Sequence, residues 1–364
     1  MTTFYKVLKP RQICDLELLL DGSFAPLEGF LNQKDYQSVL ETMRLSNGKL
    51  WPIPVNLPFT EDEKSQVEQA DRVLLVTPEG LELAELEVDD IYRPDLSAEA
   101  TKVFGVDDDN HPFVQILRAR EGCYYIGGRV TQLNAVPHDD FTEIRNTPAE
   151  TRQKFADLGW TKVVAFQTRN PMHKSHYHLT LKSLEEAGED AKLLLHPVVG
   201  ITQDVDIDYE LRVRCYKKLI NHYPEGQVEL SLLPLSMRMA GPREALWHAI
   251  IRKNYGATHF VVGRDHAGPS FKTKQGEDFF GPYDAQNLLA EHADEIGITM
   301  IKSRRIVYAE CEGRYVTDDE IHSEMKVLNI SGTEQRALLR AGKPLHDWFT
   351  FPEIMEELQR EFAA

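Results

Sequence analysis

The feature of this sequence that most limits its fold is an alternation of short apolar runs and helix-like segments between residues 146 and 305. Val163–Phe166 and His259–Val262 are apolar runs typical of strands that are buried on both faces. Ala191–His196 and Val228–Leu233 also predict strands. Helical periodicity is found in the segments around these runs: Pro148–Leu158, His173–Ala187, Tyr209–Tyr223 and Arg243–Tyr255. Strands and helices that alternate in this way predict a doubly wound parallel sheet, and therefore an α/β domain over residues 146–305.

The segments on either side of this α/β region have different patterns. Residues 1–145 consist of short apolar runs separated by Pro and Gly, with few helical periods, which predicts a barrel or sandwich-like β domain. Residues 306–364 predict a small, mainly helical domain that ends in an amphipathic helix over Pro352–Phe362. We therefore expect three domains, with boundaries near residues 145 and 305.

The charge of the chain limits its partners. The formal net charge is -17 at pH 7, and such a field repels polyanions, so we expect no nucleic-acid partner. A small anion would need a local cationic pocket. No apolar stretch approaches the roughly 20 residues that span a bilayer, and the first residues lack the pattern of a signal peptide. Four widely separated cysteines fit a reduced compartment, so we expect a cytoplasmic protein without membrane contact.

Polar side chains are concentrated in Gln167–His176, directly after the first predicted strand of the α/β region. Ligands of open α/β sheets bind beyond the carboxyl ends of the strands. His173 and His176 would share one face of a helix, and the free N–H groups at the start of a helix attract anions. Together with Arg169, which matches tetrahedral oxyanions, they predict a phosphate or sulfate site. The alternatives are histidines packed in the core or lying on the surface, or a metal site, although no third ligand lies nearby in the sequence.

A second polar segment, Gly263–Pro269, follows another predicted strand. Gly263 allows a ligand to approach the backbone closely. Arg264, Asp265 and His266 would then be presented together at the end of the strand. The alternative is a structural ion pair beside a solvated histidine. Two such segments after two strands of one sheet favour a functional site over that alternative.

These segments resemble the signatures of a known family. Phe166-Gln-Thr-Arg-Asn-Pro-Met-His-Lys-Ser-His176 is similar to the first signature of the ATP sulfurylase (sulfate adenylyltransferase) family, and Val262-Gly-Arg-Asp-His-Ala-Gly-Pro269 resembles the second. Ser23–Phe30 and Trp348–Phe349 resemble its early and C-terminal segments. The resemblance implies a PUA-like β domain, a Rossmann-like catalytic domain and a small C-terminal α/β or helical domain. It also implies the conversion of ATP and sulfate to adenosine 5′-phosphosulfate and pyrophosphate, in either physiological direction.

The resemblance also implies roles for individual residues. Gln167, Arg169 and the backbone N–H of Ala267 would contact sulfate. The catalytic residues would be Thr168, Arg169, Asn170, His173 and His176, with the two histidines stabilising the phosphates in the transition state. The nucleotide would be held by Gln167, Thr168, Arg169, Asn170, Gly263, Arg264, Asp265 and His266, with a later hydrophobic contact at Ile306 or Val307.

The resemblance also implies expectations about metal ions and oligomeric state. Mg²⁺ would enter with ATP, and a homo-oligomer is expected. Some members bind zinc before the C-terminal segment, but this sequence has only Cys311 and His322 there, so we expect no structural zinc. Ser270 stands where the family pattern leads us to expect glycine.

Two other functions remain open at this point. One is a different adenylyltransferase, which transfers AMP to a phosphorylated small molecule. The other is RNA binding through the PUA-like domain, which the net charge and the lack of a basic stripe in residues 1–145 oppose.

Overall fold

The computed structural model describes residues 2–362, apart from the side chains of residues 332, 333, 336 and 362. The N-terminal part forms a six-stranded sheet of order β1-β4-β5-β6-β2, in which β3 also pairs with β6. Its strands are β1 (Thr3–Val7), β2 (Gly29–Phe30), β3 (Leu57–Phe59), β4 (Arg72–Val76), β5 (Glu82–Tyr92) and β6 (Tyr124–Gln132). The β1–β4 pair is parallel and the other pairs are antiparallel. The predicted β domain is therefore present.

The expectation of few helices in this part was wrong. Helices lie between the strands: α1 (Pro10–Leu20), α2 (Gln33–Thr42), α3 (Glu61–Val67), α4 (Leu96–Phe104) and α5 (Pro112–Arg118). Side chains of Asn32, Thr60 and Asp95 cap three of them. Helices this short rely on caps and tertiary packing, so their periodicity is weak in the sequence.

The α/β region contains a five-stranded parallel sheet of order β11-β10-β7-β8-β9. The strands are β7 (Val163–Phe166), β8 (Lys192–Leu195), β9 (Val228–Leu230), β10 (His259–Val262) and β11 (Thr299–Lys302). The helices are α6 (Pro148–Asp157), α7 (Lys174–Ala187), α8 (Tyr209–Leu219), α9 (Gly241–Asn254) and α10 (Asp284–Ile296). The predicted parallel sheet is confirmed, and α10 and β11 were not predicted.

The strand order places a switch point in the middle of this sheet. From β7 the chain passes to β8 and β9 on one side, and then returns to add β10 and β11 on the other side. β7 and β10 are direct neighbours, with Val164 opposite His259 and Ala165 opposite Phe260. Ligands of open α/β sheets bind in the crevice at such a point.

The last part of the chain combines strands and helices. A three-stranded antiparallel sheet consists of β12 (Ile306–Ala309), β13 (Arg314–Thr317) and β14 (Val327–Leu328). It is followed by α11 (Gly332–Arg340) and α12 (Pro352–Phe362). The expectation of a mainly helical module was therefore wrong, because strands of two to four residues show little alternation in a sequence. Salt bridges join Arg214 of α8 to Glu357 and Glu361 of α12 at 3.1 and 2.8 Å.

The core lies on both faces of the parallel sheet. Val163 and Ala165 belong to the apolar cluster that contains the N-terminal core, including Trp51. Val164 and Phe166 belong to a second cluster, which extends to the C-terminal helix α12. Successive residues of β7 thus point to opposite faces, as the pleat of a strand requires. Within residues 2–362, none of the helices has the length and apolar character needed to cross a bilayer.

Candidate active site

The two polar segments that the sequence singled out lie side by side at the switch point. We call residues 167–176, which follow β7, the first loop, and residues 263–269, which follow β10, the second loop. Their adjacency follows from the direct pairing of β7 with β10.

The first loop begins with a tight turn. The Thr168 hydroxyl accepts a hydrogen bond from the Asn170 N–H at 3.2 Å and donates to the Asn170 carbonyl at 3.1 Å. The Tyr216 hydroxyl of α8 donates to the same carbonyl at 2.7 Å. The Thr168 side chain is buried and the Asn170 side chain is exposed. Thr168 therefore shapes the turn, while Asn170 remains accessible to a ligand.

Arg169 is held by a carboxylate that the sequence gave no reason to single out. Its Nη1 lies 2.9 and 2.8 Å from the two carboxylate oxygens of Asp206. The side chains of the pair are 16% and 8% exposed, so water screens the interaction only weakly. Gln167, two residues earlier, directs its amide nitrogen to the sulfur of Met237 at 3.8 Å.

The two histidines of the first loop lie at the start of α7 but have different surroundings. His173 is the residue before the helix, and its backbone N–H donates to Nδ1 of His176 at 3.2 Å. Because Nδ1 of His176 accepts this bond, the proton of its neutral ring is on Nε2, which can donate to an anion. Burial lowers the pKa of His176 to about 4, so the ring is neutral at pH 7.

His173 contacts the C-terminal part of the chain. Its Nδ1 is 3.0 Å from the Thr350 hydroxyl, and its ring centroid is 4.3 Å from that of Phe349. Burial, and then the neighbouring His176, lower the pKa of His173 to about 3. The ring is 3% exposed. Thr350 is a functional neighbour that sequence reasoning missed, since 177 residues separate the two positions.

The second loop has a strained backbone. Asp265 and Ala267 have φ angles of 51° and 57°, values that residues with a Cβ adopt rarely. The Asp265 N–H donates to the Pro282 carbonyl at 3.0 Å, and the Ala267 carbonyl accepts from Gly241 at 3.1 Å. For the Ala267 N–H, residues 2–362 supply no acceptor. Strain of this kind is concentrated at ligand sites, where the surrounding structure maintains it.

His266 points back into the protein. Its Nε2 lies 3.1 Å from Nδ1 of His248, a fully buried residue of α9. Burial, then His248 and Arg252, and further the charge of Arg169, lower the pKa of His266 well below its ordinary value. His266 is therefore neutral at pH 7.

A hollow of about 290 Å³ adjoins the second loop. Asp265, His266 and Pro269 line one side, and Phe279 and Phe280 supply an apolar wall. These aromatic residues were missed at the sequence level, because their segment has no periodicity.

The glycine at the start of α9 permits the packing beside this hollow. Gly241 has a φ of 49°, and a Cβ there would lie 2.4 Å from the Phe280 ring. The Arg264 side chain is exposed, with its guanidinium 5.4 Å from the centre of the Tyr283 ring.

Neither residue of the predicted hydrophobic contact lines the hollow beside the second loop. Ile306 lines a separate hollow with Leu179 of α7 and Lys302 of β11. Val307 is buried in the small apolar cluster of the three-stranded sheet. The contact of either residue with a nucleotide stays a prediction.

Metal ligands are sparse in the part of the chain that the structure describes. Within residues 2–362, no group of three or more His, Cys, Asp or Glu side chains is placed to hold a metal ion. Cys311 and His322 are both exposed, and the nearest carboxylate to the His322 ring is Glu312 at 3.9 Å. The expectation about structural zinc stays a prediction.

A Rossmann-like parallel sheet with two polar loops at its switch point defines an α/β protein of the doubly wound, nucleotide-binding class. The ATP-sulfurylase family model matches residues 142–361, and a PUA-like domain model matches residues 5–135. The chain belongs to the ATP-sulfurylase family.

Individual relatives agree with this assignment. A sulfate adenylyltransferase of Schizosaccharomyces pombe is 49% identical over 98% of this chain and 72% of its own length. One of Gibberella zeae is 51% identical over 97% of this chain and 62% of its own length. A solved structure described as a hexameric APS kinase from Thiobacillus denitrificans is 29% identical, with a TM-score of 0.78, over 98% of this chain and 62% of that one. The chain thus spans about two thirds of the length of these relatives.

Proposed function

We propose that the first and second loops form the site at which this member of the ATP-sulfurylase family acts as a sulfate adenylyltransferase, converting ATP and sulfate to adenosine 5′-phosphosulfate and pyrophosphate. The observation that carries the proposal is the direct pairing of β7 with β10, which sets Arg169 after one strand and the Ala267 N–H and the hollow beside His266 after the next. This arrangement offers donors for a small oxyanion next to a space for a nucleoside.

The chemistry needs no nucleophile from the protein. A sulfate oxygen attacks the α-phosphorus, the bond from that phosphorus to the bridging oxygen breaks, and pyrophosphate leaves with the electron pair. Nucleophile and leaving group are both anions, so no proton has to move. Catalysis then comes from alignment and from donors placed where charge accumulates.

In this scheme the first loop binds sulfate and the phosphates. Arg169 presents a planar fork of N–H groups to sulfate, and the Ala267 N–H approaches it from the second loop. Gln167, Thr168 and Asn170 shape and line the turn. His176 donates from Nε2 to the phosphates as a neutral ring. His173 supports His176 and joins the site to the C-terminal segment.

The second loop and the neighbouring hollow bind the adenosine half of ATP. Asp265 and His266 line the hollow, Gly263 and Arg264 precede them directly after β10, and the wall of Phe279 and Phe280 fits an aromatic base. An apolar cavity with a few polar groups is the usual form of such a site.

Mg²⁺ would accompany the nucleotide. The absence of a cluster of ligands within residues 2–362 fits this ion, which is usually held by substrate phosphates with one or two carboxylates. When bound, Mg²⁺ supplies positive charge to the phosphates. The described side chains add the Arg169 cation and the neutral N–H donors.

The competing reaction is AMP transfer to a phosphorylated small molecule. Pyrophosphate release from ATP should be measured with sulfate, with molybdate and without either anion. Sulfate adenylyltransferase activity predicts release that depends on sulfate or molybdate. If neither anion supports release, the assignment fails and the competing reaction gains support.

Three further properties belong to the proposal. A homo-oligomer is suggested by the solved relative that is described as hexameric. A cytoplasmic location agrees with widely spaced free cysteines. The same site would serve sulfate activation or ATP recovery, depending on the supply of pyrophosphate.

A further inference from the structure

A short segment outside both signature loops contacts the first loop and the residue that directly follows the second loop. Residues 203–206, which we call the strap, follow β8 and precede α8. Asp206 at one end binds Arg169 of the first loop. Gln203 at the other end binds Ser270, the residue directly after the second loop.

The strap holds the Asp206 carboxylate in a fixed position. The Gln203 N–H donates to Oδ2 of Asp206 at 3.2 Å, and the Asp206 N–H donates to the Gln203 carbonyl at 2.9 Å. A carboxylate that is fixed in this way determines where its arginine partner lies. Both of its oxygens contact one nitrogen of Arg169, Nη1, so Nη2 and Nε are not used by this pair.

Gln203 is fixed equally well at the other end. Its amide donates from Nε2 to the Ser270 hydroxyl at 3.2 Å, and its Oε1 accepts from the Ser270 N–H at 3.0 Å. Gln203 is buried and Ser270 is exposed, so the two bonds tie a buried side chain to the surface of the second loop's end. This pairing also gives a role to Ser270, because a glycine there would lack the hydroxyl that accepts one of the two bonds.

We propose that the strap positions Arg169 for sulfate and couples the sulfate side of the site to the nucleotide side. Asp206 is the positioning residue, which directs the unused donors of Arg169 toward the anion. The Gln203–Ser270 pair transmits any shift of the second loop to Arg169 through the fixed turn of the strap. The proposal rests on the function proposed above and adds to it a connection between the two halves of the site.

The test of positioning compares Asp206→Asn with Asp204→Asn. Asp204 lies in the same strap, is exposed, and within residues 2–362 forms no hydrogen bond or ion pair with either loop, so its variant is a matched control. Asp206→Asn should lower kcat/KM for sulfate at least 10-fold, with KM for ATP within about 2-fold of the wild type, because Arg169 faces the anion. Asp206→Ala should be worse than Asp206→Asn, since Asn can still accept one hydrogen bond. Asp204→Asn should behave like the wild type.

The test of coupling uses equilibrium binding. α,β-Methylene-ATP cannot be cleaved between its α and β phosphorus atoms, so its dissociation constant can be measured by calorimetry with and without sulfate. In the wild type the two constants should differ by at least 5-fold, and in Gln203→Ala their ratio should approach 1.

Several outcomes would overturn the proposal. One is a folded Asp206→Asn protein in which KM for ATP rises in parallel with the loss of kcat/KM for sulfate, which would indicate a general structural role. Others are identical behaviour of Asp206→Asn and Asp204→Asn, absence of coupling in the wild type, or coupling that survives in Gln203→Ala. Failure of the wild type to release pyrophosphate with either sulfate or molybdate would instead reject the proposed function.

Discussion

His176 gives the sharpest test of the mechanism, because its two ring nitrogens have separate tasks. Nδ1 accepts the His173 N–H at 3.2 Å and so stabilises the start of α7. In the proposed mechanism, Nε2 is left to donate to the phosphates of ATP. His176 is the third residue of the helix, where Glu and Gln can also accept this N–H. His176→Gln keeps the cap and retains an N–H donor, whereas His176→Glu keeps the cap and replaces the donor with a negative charge.

The expected magnitudes follow from these tasks. Loss of one oxyanion donor lowers kcat by about 100- to 1,000-fold, or about 2.7–4 kcal/mol in the transition state. We expect at least this loss in His176→Glu and about 10-fold or less in His176→Gln. Loss of the cap costs about 1 kcal/mol of folding free energy. Both variants should therefore unfold in urea close to the wild type, while His176→Ala should unfold earlier.

The assay is pyrophosphate release at saturating ATP and sulfate, with urea unfolding measured on the same preparations. Because the pKa of His176 is lowered to about 4, the neutral ring persists from pH 6 to 8. Its donor function should therefore not change across that interval. A kcat of His176→Glu within 3-fold of the wild type would show that the histidine only caps the helix. A decline in kcat/KM between pH 6 and 7.5 that disappears in His176→Gln would show that a charged imidazole is required.

Three other changes test separate parts of the structure. Arg169→Ala should abolish turnover while its circular dichroism spectrum stays native. Arg169→Lys should recover less than about 1% of wild-type activity, because lysine lacks the planar fork of N–H groups. Appreciable activity in either variant would refute the role of Arg169 in sulfate binding. His173→Ala should lower kcat by about 100-fold. It should also lower the free energy of unfolding by about 2 kcal/mol, because the ring contacts Phe349 and Thr350. A normal kcat would show that His173 serves only in packing. Burial lowers the pKa of His111 to about 4 in the folded protein. In the unfolded chain the pKa is about 6.5, so the unfolded chain takes up a proton on this ring first as the pH falls below that value. The free energy of unfolding therefore decreases. Between pH 7 and 5.5 the wild type should lose about 1 kcal/mol more than His111→Gln in urea unfolding, and equal losses would contradict the shift.

The parallel sheet could be predicted because its inner strands have a strong local signal. Val163–Phe166 and His259–Val262 are almost wholly apolar, as strands covered on both faces must be. Thr299–Lys302 lies at the edge of the sheet, is partly exposed and carries polar ends, so it resembles a loop in the sequence. The short helices of the N-terminal part and the short strands of the C-terminal part were not predicted either, because tertiary packing rather than local sequence decides their conformation.

The position of the site could also be predicted, but its supporting contacts could not. Arg169 and His176 lie directly after a strand, and the geometry of a parallel sheet brings such residues to one edge. Asp206 and Thr350 are 37 and 177 residues away from the side chains that they contact. No local pattern marks pairs at such separations. The orientation of Arg169 and the surroundings of the His173 ring depend on these distant partners.

The alternating faces of β7 have a consequence for anyone who wishes to simplify this enzyme. The strand that carries the first loop is covered on one side by apolar residues shared with the N-terminal part, and on the other by residues shared with the C-terminal helix. A fragment restricted to the parallel sheet would expose a bare hydrophobic surface on each side and should aggregate. The flanking parts are therefore integral to the catalytic unit, and a minimal version of this enzyme must retain all of them.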